Sequence, residues 1–246
     1  MADRKIALVT GAGRGLGRSM ARHLTSAGVA VVGTYHHSER EAAEAASDDL
    51  VFCRLDVTRA DTYPEFVDTV RQTLQDRFGT QSFDHLVNNA GIGTYAPYDR
   101  TTPEQFDELV GVNLRAPFFL TQALLPLINK GGRVLNVTTA LTRGVVPGMS
   151  AYAATKGAIE VLTRYQAVEL ADRGIRVNTL MGGAVLTDFG GGMMRSPQVQ
   201  ELAAHTIAQG RIAGPDDITA AVPAVLSDGF QWATGSIIDL SGGQSL

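Results

Sequence analysis

The chain has 246 residues, 44% of them hydrophobic and 19% charged, with a net charge of −4 and a pI near 5.7. That length permits one domain with a large core, and the mild acidity argues against a nucleic-acid binder, which carries a basic stripe. Too few apolar residues follow Met1-Ala2-Asp3-Arg4-Lys5 for a signal peptide, and no apolar stretch is long enough to span a bilayer, so a cytoplasmic protein is expected.

Short Val/Ile/Leu runs alternate with helical patterns from end to end. The runs cover 5–10, 29–34, 50–55, 84–88, 133–138, 175–181 and 236–240. Continuous apolar strands of this kind belong to a parallel sheet covered on both faces. Strand–helix alternation at this pitch predicts an α/β fold, a single doubly wound Rossmann-type domain over 1–246 with about seven strands and helices on both faces.

After the first run comes Thr10-Gly11-Ala12-Gly13-Arg14-Gly15-Leu16-Gly17. A glycine-rich turn between strand and helix lets backbone approach a pyrophosphate, and the helix N-terminus supplies free N–H groups and partial positive charge. An NAD site places an acid about 20 positions on, at the end of the second strand. Here that end reads Thr34-Tyr35-His36-His37-Ser38, and the first acid, Glu39, opens the next helix. Arg14, His36, His37 and Ser38 are donors for a 2′-phosphate, so NADP(H) is expected over NAD(H). Adjacent histidines lack the spacing of a zinc site, and no metal is expected.

The single cysteine, Cys53, lies inside the third run and reads as a small buried hydrophobe. Asp56 and Val57 end that strand, and Asn89-Ala90-Gly91 ends the fourth. The carboxyl ends of parallel strands face the ligand crevice, which gives Asp56 the adenine amino group and Ala90-Gly91 a close pass to the ribose. Thr102-Pro103-Glu104-Gln105 is a helix start with a capping box. Downstream, Phe106, Leu109, Val110, Leu114 and Phe118 form an apolar stripe, in which Asn113 takes a position that calls for a hydrophobe. A buried Asn marks a polar network or a bound water.

The fifth strand ends in Thr138-Thr139, where a hydroxyl can meet a substrate carbonyl oxygen as charge develops on it. In Tyr152-x-x-x-Lys156 the two side chains lie one helical turn apart on one face. A nearby cation lowers a phenol pKa and moves Tyr152 towards efficient acid–base work. Gly190-Gly191-Gly192 lies in a stretch read as a mobile lid over 187–210.

In combination and order, these motifs resemble the short-chain dehydrogenases/reductases, nearest to the 3-oxoacyl-[acyl-carrier-protein] reductase-like branch. The resemblance runs from Thr10-Gly11 to Asp239-Leu240-Ser241-Gly242-Gly243. It implies Tyr152 as general acid–base, Lys156 on the nicotinamide ribose, Asn113 holding a relay water, and Gly183, Val185 and Thr187 around the nicotinamide. It also implies a homotetramer, or a dimer, built through the helices that carry Asn113 and Tyr152.

Two positions depart from that pattern. Thr139 stands where the family has serine, 13 residues before the tyrosine. Its extra methyl group, at a cost of about 1–2 kcal/mol, slows the reaction tens-fold at most. Gly182, in Met181-Gly182-Gly183, stands where the family shows proline, which loosens the backbone there.

Tyr95, Leu141, Val145, Val146, Met149, Phe189, Met193 and Met194 are expected to rim an apolar pocket. Such a rim suits a ring ketone, a 3-oxoacyl chain as a thioester, or another lipophilic carbonyl. Arg143 and Arg195 stand near it as attractors for a phosphopantetheine or a carboxylate. The expected function is NADPH-dependent reduction of a ketone or 3-oxoacyl carbonyl. An NAD-linked alcohol, sugar or polyol dehydrogenase and a weakly active dinucleotide-binding sensor or scaffold are the other readings.

Overall fold

The computed structural model describes residues 4–246; the opening Met1-Ala2-Asp3, where a leader would begin, lies outside them. Seven parallel strands form one sheet in the order β3-β2-β1-β4-β5-β6-β7. They are β1 (Ile6–Val9), β2 (Ala30–Tyr35), β3 (Leu50–Arg54), β4 (Phe83–Asn88), β5 (Ile128–Thr139), β6 (Arg176–Gly182) and β7 (Ile237–Leu240). The order reverses between β1 and β4, so a crevice opens at the carboxyl ends of those strands.

The main helices are α1 (Gly15–Ser26), α2 (Glu39–Ala45), α3 (Tyr63–Phe78), α4 (Pro103–Val110), α5 (Ala116–Leu124) and α6 (Ser150–Glu169). Leu8, Val32, Phe66, Leu74, Leu86 and Leu124 belong to the core on one face of the sheet. Val9, Met20, Leu24, Val87, Leu135 and Val222 belong to the core on the other. Both faces are therefore dry, which is why the strands carry unbroken apolar runs. Among the described residues, no helix is long and apolar enough to cross a membrane.

A buried polar network interrupts this core and ties α6 to β4, β5 and β6. Asn88 Nδ2 on β4 donates to Asn136 Oδ1 on β5 at 2.8 Å and to Thr121 Oγ1 on α5 at 3.0 Å. Asn136 Nδ2 in turn donates to Thr163 Oγ1 and Gln166 Oε1 on α6, at 2.9 and 3.1 Å. Thr179 on β6 joins through Thr163 at 3.0 Å. Buried amides left unpaired are costly, so this network admits one placement of α6 along β5.

The expected capping box opens α4: Thr102 Oγ1 accepts from Gln105 N, and Gln105 Oε1 accepts from Thr102 N. Between α4 and α5 the chain makes a π turn over Gly111–Arg115. The extra residue rotates the downstream turns, and the single stripe expected from periodicity splits. Leu109 and Asn113 point inward, whereas Phe106 and Phe118 are well exposed.

Candidate active site

The glycine turn is shaped by contacts that side chains would block. Gly11 and Gly15 have φ of 67° and 55°, the left-handed region that glycine occupies without strain. A Cβ on Gly17 would collide with Gly11 O and sit 2.5 Å from Asn89 Nδ2. Thr34 Oγ1 on β2 accepts from Gly11 N at 3.1 Å. Asn89 Nδ2 donates to Thr10 O at 2.8 Å, and Thr10 Oγ1 accepts from the N–H groups of Asn89 and Ala90 at 3.0 and 2.9 Å. Asn89 thus staples the turn to β4. No side chain caps the N-terminus of α1 at Arg14, so its first N–H groups face the crevice unengaged by any cap. A turn kept open by glycine at an uncapped helix N-terminus fits a dinucleotide pyrophosphate.

Ser38 stands directly over this turn: a Cβ on Gly13 would lie 2.7 Å from its Oγ. His36 and His37 stack with ring centroids 3.6 Å apart. His36 Nε2 faces Asp56 Oδ2 at 3.6 Å, while Asp56 Oδ1 accepts from Thr58 N and Oγ1. Burial raises the Asp56 pKa, but the Thr58 bonds and His36 outweigh it and hold the carboxyl below its usual range. One Asp56 oxygen is therefore already engaged, and the other lies beside an imidazole. Tyr63 Oη donates to Val57 O at 2.6 Å and fixes the segment leaving β3.

At the start of α6, Tyr152 is 7% exposed and packs against Met149 and Leu109. Thr139 ends β5 beside it, and the next turn folds back so that Leu141 N donates to Thr139 Oγ1 at 3.3 Å. Thr138 points the other way, towards Glu160, as alternation along a strand requires. Burial pushes the Tyr152 phenol above its ordinary pKa, and a hydrogen bond with Thr139 draws it the other way. Burial also pulls the Lys156 ammonium down to about 8. Lys156 Nζ donates to Val137 O at 3.0 Å and lies 6.0 Å from the Tyr152 ring centroid. In the protein by itself, desolvation therefore outweighs the Thr139 hydrogen bond and raises the phenol pKa, the reverse of what the Tyr–Lys spacing alone suggests.

Asn113 is 1% exposed. Its Oδ1 accepts from Ile92 N at 3.0 Å, and its Nδ2 donates to Ile92 O at 2.9 Å and Thr155 Oγ1 at 3.3 Å. It therefore bolts the chain after Gly91 to the π turn and to α6. A Cβ on Gly91 would lie 3.2 Å from Asn113 Oδ1 and 3.3 Å from Lys156 Nζ, so glycine lets both groups close on this point.

Beyond β6, Val185 pairs with Ala213 in an isolated parallel bridge. Thr187 reaches over the glycine turn, its Cγ2 4.0 Å from a Cβ built on Gly15. Gly182 is no loose joint, because it pairs with Thr139 on one side and Leu240 on the other. In the stretch read as a lid, Gly190, Gly191 and Gly192 all adopt positive φ. The Phe189 ring packs tilted against Tyr152, and Tyr95 and Val146 are exposed.

The two arginines expected to attract an anion are engaged. Arg143 pairs with Asp239 at 2.8 Å and donates to Gln244 O at 2.8 Å, and Arg195 pairs with Asp188. Neither Asp239 nor Gln244 is near Arg143 in sequence, so only the fold discloses the pairing. Gln244 is itself a residue that the motifs do not single out.

Comparison with known proteins decides the family. Residues 11–245 match the family model described as Enoyl-(Acyl carrier protein) reductase. The chain belongs to the short-chain dehydrogenase/reductase family. It is 34% identical to versicolorin reductase 1 of Aspergillus parasiticus, over 98% of this chain and 96% of that protein. Among solved structures, the angucycline C-6 ketoreductase LanV with bound NADP superposes with a TM-score of 0.92 at 34% identity, covering 98% of this chain and 95% of LanV. A short-chain dehydrogenase/reductase from Serratia marcescens gives 0.90 at 27% identity, with both chains covered in full. The chain is accordingly an oxidoreductase.

Proposed function

We propose that this short-chain dehydrogenase/reductase uses NADPH to reduce a ketone on a lipophilic, preferably ring-bearing substrate to the alcohol. The observation that carries the reading is the buried Tyr152 phenol with the Thr139 hydroxyl beside it and Lys156 one turn on, beneath a mouth lined by Tyr95, Val146 and Phe189. The name of LanV, a ketoreductase with bound NADP, and that of versicolorin reductase support both the cofactor and the ring ketone.

When bound, NADPH supplies the hydride. The chain's residues do the rest. Burial keeps the Tyr152 phenol protonated at neutral pH, the form that a carbonyl reduction needs, and its proton passes to the carbonyl oxygen. Thr139 Oγ1 donates to the same oxygen as its negative charge grows. Lys156, with a pKa near 8, is still largely cationic at neutral pH, available to the nicotinamide ribose and to Tyr152 as charge builds on its oxygen. Asn113 holds the loop that walls this pocket. Ser38, Arg14 and the stacked His36 and His37 receive the 2′-phosphate; Gly183, Val185 and Thr187 hold the nicotinamide, and the lid over 187–210 closes on the substrate.

The exposed Phe118 and Phe119 on α5 and Tyr165 and Val168 on α6 support assembly through these helices, and we assign a homotetramer. The buried Cys53 thiol suits a reducing compartment, and we assign the cytoplasm. The test is NADPH and NADH oxidation followed by absorbance against cyclic ketones, diketones, aldehydes and 3-oxoacyl thioesters. Faster turnover with NADPH and a ring ketone is expected. Tight NADPH binding with no turnover on any carbonyl would favour a sensor instead.

A further inference from the structure

We infer that Gln244 is a positioning residue for the nicotinamide half of the cofactor. It fixes the backbone at Gly183–Val185 and ties it to the foot of the lid and to the turn after Thr139. The inference rests on the reading of Val185 and Thr187 as nicotinamide contacts.

Gln244 is 6% exposed. Its Oε1 accepts from Ala184 N at 2.8 Å, while Ala184 O accepts from Ala213 N at 3.1 Å. Both polar backbone groups of Ala184 are therefore satisfied, one by a side chain and one by a crossing segment. A Cβ on Gly183 would lie 2.9 Å from Gln244 Oε1 and 2.7 Å from Ser241 O, so glycine at 183 is what admits the side chain. The family's proline is absent from this corner. Stiffness here comes from a hydrogen bond reaching in from 60 residues away.

The same residue has two further attachments. Its main chain forms an antiparallel bridge with Ile207, extended by bonds from Ala208 N to Gly243 O and from Ser245 N to Thr206 O. Residues 206–208 end the lid stretch, so the lid's foot is anchored on the segment that carries Gln244. The main-chain oxygen of Gln244 accepts from Arg143 Nη2, and Arg143 follows the turn that presents Thr139. Lid, nicotinamide-facing backbone and catalytic turn thus share one anchor. An apolar residue at 244 would leave the partly buried Ala184 N–H without its partner and free the backbone to turn.

The test compares two ligands on the full chain: NADPH, and 2′,5′-ADP, which carries the 2′-phosphate but no nicotinamide. Gln244→Met keeps the shape and removes the acceptor; Gln244→Glu restores an acceptor oxygen. Wild type is expected to bind NADPH more tightly than 2′,5′-ADP. Gln244→Met is expected to weaken NADPH about tenfold while leaving 2′,5′-ADP within about twofold, and Gln244→Glu to recover most of the loss. Circular dichroism confirms folding, and Gln244→Ala replaces the Met variant should that one not fold. If Gln244→Met binds NADPH as wild type does, or weakens both ligands equally, the inference is overturned and the nicotinamide reading stands. If wild type itself binds both ligands equally, the nicotinamide reading fails and the inference with it.

Discussion

The ring of Phe189, from the glycine-rich stretch beyond β6, lies with its centroid 5.5 Å from that of Tyr152 and inclined by 56°. The same ring occupies the space above Gly93, where a Cβ would meet its Cε1 at 2.5 Å. An aromatic ring from the glycine-rich stretch therefore covers Tyr152, the proposed acid. Phe189→Ala is expected to raise KM for a ring ketone about five- to twentyfold, by loss of one aromatic contact, with the Kd for NADPH unchanged. Steady-state kinetics with a cofactor-binding control checks this; an unchanged KM would remove Phe189 from the substrate site.

Thr139 presents its hydroxyl beside the Tyr152 phenol. Thr139→Ser is expected to keep or modestly raise kcat, because the hydroxyl stays and a methyl group leaves. Thr139→Val, nearly the same shape without the hydroxyl, is expected to lose about 100-fold or more in kcat, the scale of one missing donor to a developing oxyanion. Equal rates for Thr139→Val and wild type would show that the hydroxyl does no chemistry.

Gly17 faces backbone, not a side chain that could move aside. Gly17→Ala drives a methyl group into Gly11 O and Asn89, so the glycine turn must shift. A stability loss of about 1–3 kcal/mol is expected, with NADPH binding weakened by more than 100-fold. Thermal melting and NADPH fluorescence read the two effects. A variant with the wild-type melting temperature and affinity would contradict the turn's geometry.

The features legible in the sequence are those enforced by local chemistry. Glycines at positive φ, a Thr–Gln capping box and a Tyr–Lys pair at helical spacing each carry their reason within a few residues. Asn113 is visible as a polar residue on an apolar stripe, but the π turn that aims it is not, since periodicity assumes a regular helix. For the same reason Phe106 and Phe118 read as core although they are exposed. The engagement of Arg143 by Asp239, and the grip of Gln244 on Ala184, join segments distant in sequence and have no local signature. The pKa of Tyr152 escapes a spacing argument too, because desolvation depends on what the fold packs around the ring.

His85, on β4 beneath the site, is buried and its Nδ1 has no partner in the structure. Burial pushes its imidazole down to about 4. An unfolded imidazole titrates near ~6.5, so below that pH the unfolded chain takes up a proton that the folded one refuses. Its contribution is thus complete above about pH 6.5 and lost progressively as pH falls towards about 4, by roughly 3 kcal/mol in all. Urea midpoints measured over that range are expected to fall with pH, and His85→Leu to flatten the slope. An equal slope in the variant would assign the acid sensitivity to other groups.

Tyr152→Phe removes the proton that the proposed reduction sends to the carbonyl oxygen and leaves the ring in place. NADPH affinity and turnover of the best ketone are measured on the same preparation of the variant and of wild type. NADPH binding within a few-fold of wild type is expected, with a loss of kcat of at least about 100-fold, the usual scale of a general acid. Wild-type turnover by the phenylalanine variant would contradict it.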